Sequence, residues 1–208
     1  MSPLSIAVGR PTLADHLFRR RLLTDLVLLA AGAALVALCA QLAIPLWPVP
    51  ITAQTLAVLL VGASLGAVRG ALSLTVYVGL GTLGLPIFSG GSSGLDVLTG
   101  GTGGFLIGFI LAAGLAGWLA QRRWDRRFLT GVASLAAASA VTFAIGLPWL
   151  GVWLGQNGFH NDLPAVLAAG LYPFVFGELV KVLLAALILR LIWRGVARTE
   201  AQHPEDPE

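Results

Sequence analysis

Lysine occurs once in the 208 residues, and it lies inside an apolar run rather than in a loop. Lys181 and Glu178 both belong to the segment FGELVKVLLAALIL at 176–189. Residues three apart share a helix face, so ammonium and carboxylate point the same way. Ionisable groups at membrane depth are costly, and they usually face a partner, a cavity or a transport pathway. The bland reading is an ion pair that neutralises itself, or a lysine snorkelling to the interface. The sharper one is a polar floor in an otherwise greasy binding site. Counting back from Arg194, the pair falls in the half of its helix remote from the arginines, which favours the sharper reading.

Two other segments offer chemistry. The turn Pro48-Val49-Pro50-Ile51-Thr52-Ala53-Gln54-Thr55 puts hydrogen-bonding groups at the mouth of a helix. Thr52 serves either as a cap or as a ligand contact, and Gln54 carries both a donor and an acceptor. The stretch 79–104, GLGTLGLPIFSGGSSGLDVLTGGTGG, holds nine glycines between 81 and 104, Gly90 and Gly91 among them. Glycine allows tight turns and close backbone approach to a ligand. Lysine does not follow it, so it is no phosphate loop of the GxxxxGK[ST] kind. Leu85, Pro86, Ile87, Phe88 and Leu98 are apolar, which predicts a lid packed down on the protein. A fourth feature is a face of small residues, Ala30, Gly32, Ala33, Ala34 and Ala37. Spacing of that kind lets helices approach closely in lipid, for internal packing or for docking a partner protein.

The elements that must position these residues follow from composition. Hydrophobic residues make up 57% and charged residues 11% of the chain, with mean hydropathy +0.86. A soluble domain carries about 25% charged residues, because water-facing surface must be covered. The bilayer is therefore the solvent. The net charge of +3 sits in short basic clusters between apolar runs, a pattern of membrane orientation rather than nucleic-acid binding. The lone Cys39, in an apolar run, excludes an intrachain disulfide and a cysteine metal cluster.

A spanning helix needs about 20 mainly apolar residues. Residues 26–68 carry no charge, and Pro45, Pro48 and Pro50 divide them into two helices, 22–44 and 53–68. Further helices are predicted at 70–84, 103–121, 128–150 and 173–195, with a short helical piece at 163–171 that breaks before Pro173. With six helices, Arg10, Arg19, Arg20, Arg21, Arg69, the cluster 122–127 and Arg190, Arg194 and Arg198 all fall on one side. Loops 45–52, 85–102 and 151–162 hold no Lys or Arg. Positive charge collects in cytoplasmic loops, so both termini are predicted cytoplasmic. The expected fold is thus an all-α membrane protein of six transmembrane helices with a glycine-rich outer loop between helices 3 and 4. Residues 1–21 form a cytoplasmic N-terminal segment, loose or interfacial over its first 15 or so. Residues 22–195 form the six-helix membrane domain with the substrate pocket, and 196–208 a disordered acidic tail.

Several functions are excluded. His16, His160 and His203 lie outside the apolar runs, so no histidine–acid cluster serves a metal at membrane depth. No Ser–His or Cys–His arrangement supplies a nucleophile, which argues against an enzyme. Without an ATP-binding motif, energy for active uptake must come from another chain.

VPITAQTLAVLL, GLGTLGLPIFSGGSSG, LTGGTGGFLIGF and FGELVK, in that order, resemble the biotin substrate-binding subunits (BioY) of energy-coupling factor transporters. The resemblance covers about residues 22–195. It implies a high-affinity biotin-binding subunit whose six-helix bundle carries an outer pocket under the glycine-rich loop, with the polar pair of helix 6 reaching the vitamin. Transferred residue by residue, the implied substrate contacts are Glu178, Lys181, Gln54, Thr52, Phe88, Gly90, Gly91, Thr102 and Phe105. Ala30, Ala33, Ala34 and Ala37 are candidates for contact with a transmembrane coupling subunit, itself joined to cytoplasmic ATPase subunits. No metal, no cofactor beyond the transported biotin, and no nucleic acid is expected; a homodimer is left open. The expected location is the bacterial cytoplasmic (inner) membrane, as a multi-pass protein. Two positions depart from the family pattern: Glu178 stands where Asp is usual, and Gly101-Thr102-Gly103-Gly104-Phe105 where Pro-Thr-Gly-Gly-Tyr is usual. The first lengthens the carboxylate arm by about 1.5 Å, and the second loses a phenolic hydroxyl. The alternatives are a subunit for another vitamin, or a non-transporting membrane assembly protein in which the pair serves helix association.

Overall fold

The computed structural model describes residues 6–7 and 9–202. Helix α2 (Leu22–Gln41) stops earlier than expected, because the prolines after it impose a hairpin. Strand β1 (Ala43–Ile44) pairs antiparallel with β2 (Ile51–Thr52), Ala43 opposite Thr52 and Ile44 opposite Ile51. Proline lacks an N–H and biases the residue before it toward extended backbone, so Ile44 before Pro45 is a natural end for a helix and start for a strand. The all-α expectation therefore misses this small ribbon at the mouth of the bundle.

Helices α3 (Gln54–Leu65) and α4 (Ala67–Thr82) are separated by Gly66 alone, at φ +89°, a conformation that favours glycine. Sequence reasoning put this break at Arg69, in a loop. The structure corrects it: Arg69 sits in the first turn of α4 and is 3% exposed. Its Nη1 lies 3.0 Å from Asp25 Oδ1, its Nη2 2.9 Å from Asp15 Oδ1, and its Nε donates to the Leu65 carbonyl at 2.8 Å. A buried guanidinium needs such compensation, and here two carboxylates supply it. One of them comes from α1 (Leu13–Leu17), whose Leu13 and Ala14 are buried against the bundle. The N-terminal segment, expected to be loose or interfacial over its first 15 or so residues, is thus docked through Thr12–Asp15.

The glycine-rich stretch folds into a 3-10 turn at Ser89–Gly91 and a short α5 (Leu95–Thr99). Then come α6 (Gly103–Ala120), a 3-10 turn at Trp124–Arg126, α7 (Phe128–Gln156), α8 (Leu163–Gly170) and α9 (Val175–Gln202). Helix α7 runs past its expected end at 150 and through Pro148, because buried Leu150 and Leu154 keep its face on the core. Helix α9 continues beyond 195, so residues 196–202 of the expected tail are helical; 203–208 lie outside the described residues.

Helix α6 is the hub, packed on α3, α4 and α7. Small residues allow this. A Cβ on Gly62 would stand 2.4 Å from the Ala113 carbonyl oxygen, and one on Gly117 would stand 2.2 Å from the Gly66 carbonyl carbon. Such backbone-to-backbone approach is how helices gain packing energy where lipid offers no hydrophobic drive. The outer surface is apolar, with Leu23, Val27, Leu38, Leu111, Leu129 and Phe176 exposed. Helices α2, α6 and α7 are long and apolar enough to cross a membrane by themselves.

Candidate functional site

At the end of the bundle away from the arginine clusters lies a cavity of about 360 Å³, small-molecule sites running from about 300 to 1,000 Å³. Its walls come from the hairpin, the first turns of α3 and α6, the lid, the middle of α7 and the start of α9. The N-terminal ends of α3 and α6 both open onto it, which brings Gln54 and Thr102 to the wall without need of long side chains.

Glu178 and Lys181 form its polar floor. Their carboxylate and ammonium are in direct contact, and neither points into lipid: Glu178 is buried and Lys181 half-buried. Glu178 Oε1 also accepts from Thr55 Oγ1 at 2.7 Å, and Oε2 accepts from Ser139 Oγ on α7 at 2.9 Å. Lys181 Nζ donates to the Thr52 carbonyl at 2.9 Å and to Thr55 Oγ1 at 2.7 Å. All three ammonium protons are thus used. A carboxylate has about four acceptor directions; among the described residues three are filled, and the one left is on Oε2. The pair is held in one orientation by α3 and α7, with a single strong acceptor direction still available at the cavity. Charge-assisted hydrogen bonds of this kind are the strong ones.

Gln54 is less available than its chemistry suggested. Its Oε1 accepts from Thr52 Oγ1 at 2.8 Å, and its Nε2 donates to Tyr77 Oη at 2.8 Å. Tyr77 in turn donates to the Ile87 carbonyl at 3.2 Å. One chain of hydrogen bonds therefore runs from the hairpin through α3 and α4 to the lid.

Of the apolar residues expected to pack the lid down, Phe88 is buried and Ile87 and Leu98 half-buried, while Leu85 and Pro86 are exposed. Phe88 is 1% exposed, its ring edge-on to Tyr77 with centroids 5.5 Å apart. A Cβ on Gly81 would come within 2.3 Å of that ring, so glycine there makes its room. Gly146 does the same for Phe105, whose ring would lie 2.4 Å from an added Cβ. Phe88, Thr102 and Phe105 line the cavity, as do Thr52, Gln54, Glu178 and Lys181. Gly90 and Gly91 do not. At φ +66° and +73° they are exposed residues of the turn, and it is their neighbours Ser89 and Ser92 that contribute to the lining. Ile87 stands behind the wall, contributing its carbonyl.

Sequence reasoning missed Tyr77, Ser139, Thr142, Phe143, Trp153 and Phe174. Tyr77 carried a signal, a phenol in an apolar helix, which must find a partner when buried. Ser139 carried none, because a serine in a membrane helix ordinarily bonds its own backbone. The aromatic clasp of Trp47 on Phe159 (centroids 4.8 Å) and Trp153 (6.4 Å) joins residues about a hundred positions apart, which no local pattern predicts.

On the flank of the bundle, Ala30 and Ala34 are exposed, Ala37 half-buried and Ala33 buried. With Leu80 of α4 and Pro86 of the lid they wall an open apolar groove of about 520 Å³. Among the described residues, no group of three or more His, Cys, Asp or Glu is placed to hold a metal ion.

The sequence matches the BioY family over residues 11–198. The chain belongs to that family. Among its relatives, the biotin transporter BioY of Thermotoga maritima is 40% identical over 76% of this chain and 89% of its own length. BioY of Rhodobacter capsulatus is 39% identical over 77% and 88%. BioY2 of Lactococcus lactis subsp. cremoris is 36% identical over 85% and 94%. The fold is that of the crystal structure of the S-component for biotin from an ECF-type ABC transporter, with TM-score 0.72 and 23% identity, covering 83% of this chain and 92% of that one. The matched span takes in α1 as well as the helices, so the docked N-terminal segment lies within the family's unit.

Proposed function

We propose that this chain captures biotin as the substrate-binding subunit of an energy-coupling factor transporter, and is not an enzyme. The observation that carries this is the Glu178–Lys181 pair, set by Thr55 and Ser139 into the wall of a covered apolar cavity. The names borne by the family's members support the substrate. Biotin's ureido ring presents N–H donors and a strongly accepting carbonyl on an apolar bicycle with a carboxylate tail. The remaining acceptor direction of Glu178 Oε2 takes an N–H. Lys181 meets the ligand's carbonyl or tail by turning one proton from Thr55 or Thr52. Phe88 and Phe105 cover the apolar body. Gln54 and Tyr77 hold the lid against α3 and α4.

The topology that suits this role has six spans, α2, α3, α4, α6, α7 and α9, with both ends and every arginine on the cytoplasmic side of a bacterial inner membrane. The cavity then faces outward. The groove of Ala30, Ala34 and Ala37 is open to a transmembrane coupling subunit, and ATPase subunits supply the energy. No cofactor is required for binding.

Calorimetry on detergent-purified protein tests the assignment. Biotin binds in preference to thiamin or riboflavin, and Glu178→Ala and Lys181→Ala each abolish tight binding by protein that still elutes as a folded species. Retained tight binding by either folded variant refutes the site; preference for another vitamin refutes the substrate.

A further inference from the structure

A second cavity lies at the opposite, arginine-rich end, with a volume of about 770 Å³. Four guanidiniums converge on it from two distant parts of the chain: Arg126 and Arg127 from the turn before α7, Arg190 and Arg194 from α9. Among the described residues, its wall contains no acidic one. Orientation by positive charge does not explain this gathering, since Arg122 of the same sequence cluster turns away and stacks on Trp118, 3.2 Å from the ring centroid.

The floor is built and rigid. Trp193 is 9% exposed and donates its indole N–H to Asp125 Oδ2 at 2.5 Å. The Arg126 guanidinium lies 4.2 Å from the Trp193 centroid, and the His16 ring meets Trp193 edge-on at 5.1 Å. Cation–π stacking of this kind fixes the guanidinium in place. Arg190 lies 5.9 Å from the Phe128 ring, while Arg127, Arg190 and Arg194 make no ion pair with a described acidic side chain. Phe128, Leu129 and Thr130, the first turn of the 29-residue α7, complete the wall. A helix N-terminus adds positive potential and free amides to the same spot.

The surroundings distinguish a lipid from a soluble anion. Positions 183, 187, 190, 191 and 194 share one face of α9. Leu183, Leu187 and Leu191 on that face are exposed, forming an apolar track that leads from the arginines toward the middle of the helix. Leu129, at the rim, is 80% exposed. A charged basin opening onto an apolar track matches an amphiphile with an anionic head and acyl chains.

We propose that this cavity binds the phosphate headgroup of an anionic membrane lipid, with Arg126, Arg127, Arg190 and Arg194 around the phosphate and the acyl chains along Leu183, Leu187 and Leu191 of α9. Such a lipid ties the turn before α7 to the end of α9, two elements that meet there through Trp193 and Asp125. Basic pockets between helices near a membrane surface recognise headgroups in this way.

Native mass spectrometry of the full chain, with phosphatidylglycerol, phosphatidylcholine or inorganic phosphate added to detergent-purified protein, tests it. Phosphatidylglycerol gives retained adducts and raises the melting temperature; phosphatidylcholine and inorganic phosphate do neither. Arg190→Gln with Arg194→Gln weakens phosphatidylglycerol binding on the order of twentyfold, two arginine contributions compounded, and leaves biotin binding unchanged. Arg126→Gln with Arg127→Gln approaches the same basin from the other element and gives a like loss. Arg198→Gln, outside the cavity, changes nothing. Equal binding of both lipids, or an unchanged affinity in both double variants, overturns the proposal. So does an equal loss in Arg198→Gln, which marks unspecific charge. Stabilisation by inorganic phosphate alone overturns it in favour of a free-anion site.

Discussion

Replacing Glu178 by Gln keeps the side chain's size and removes only its charge, which isolates what the carboxylate does for a ligand. In the structure Oε1 accepts from Thr55 and Lys181, and Oε2 from Ser139. The amide retains one oxygen and presents its NH₂ either to Ser139, whose hydroxyl must then turn to accept, or to Thr55 and the Lys181 ammonium, so at least one of the three bonds is lost as made. The variant also converts the remaining acceptor direction at the cavity from charged to neutral or to a donor. A hydrogen bond to a charged group contributes about 1.5–3 kcal/mol, and each 1.4 kcal/mol is about tenfold in affinity, so biotin binding weakens roughly ten- to a hundredfold or somewhat more. Ser139→Ala removes one neutral donor that only orients Oε2. At about 1 kcal/mol it weakens binding roughly fivefold, and the double variant costs less than the product of the two because both act through one oxygen. Titration calorimetry of biotin into the purified variants, with melting curves to establish folding, measures all three. Folded Glu178→Gln binding biotin within about threefold of the parent refutes the reasoning, and full multiplicativity of the two losses refutes the coupling.

Three further outcomes follow from the fold. Arg69→Met leaves Asp15 and Asp25 buried beside an apolar chain; breaking a buried pair in this way costs about 3–5 kcal/mol, and the melting temperature in detergent falls steeply, whereas an unchanged value shows the network to be idle. Burial raises the Asp15 carboxyl, but hydrogen bonds from Arg20 and the Thr12 amide and the charges of Arg69 and Arg20 outweigh it and hold the group below its ordinary 3.8. Its contribution is therefore whole above that value and is lost as pH falls through the lower folded one; melting temperature drops on acidification below about pH 4, and Asp15→Asn, less stable at neutral pH, shows a smaller drop. Gly62→Val places a side chain where a Cβ already stands 2.4 Å from the Ala113 carbonyl oxygen, so α3 and α6 part and biotin binding and melting temperature fall together; retention of both shows that the helices can separate without cost.

How much of this was legible beforehand depends on whether the signal was local. The charged pair was legible because charge in hydrocarbon is rare, and the lid because apolar residues punctuate its glycines. The apolar runs placed the starts of the long helices to within a few residues, but not the ends of α7 and α9. Errors gathered where tertiary contact overrides local pattern. Arg69 reads as a loop charge until Asp15 and Asp25, more than forty residues away, are seen to neutralise it. The hairpin of Ala43–Ile44 with Ile51–Thr52 is too short for a periodicity. Gly90 and Gly91, expected as ligand contacts, turn the chain at positive φ outside the cavity lining. Trp47, Trp153 and Phe174 were invisible because an aromatic in a membrane protein has several ordinary places to be.

The internally satisfied pair bears on selectivity. Two opposite charges in a dry wall are costly unless each is met, and here Thr52, Thr55 and Ser139 meet them before any ligand arrives. A ligand therefore gains little from the charges as such, since it must compete with bonds already made. What it gains is geometric: one direction on Glu178 Oε2, fixed by α3 and α7, that rewards an N–H at that point. A ligand with no donor there gains no bond and desolvates that lone pair without return. On the proposed function, pre-satisfaction turns a pair of charges, which alone would attract any ion, into a reader of donor position. The length of the glutamate arm makes the position of that oxygen depend on Ser139, whose hydroxyl holds Oε2. Ser139→Ala should accordingly narrow the gap in affinity between biotin and analogues that lack a ring N–H, measured by competition on folded protein, and a widened gap would sink the idea.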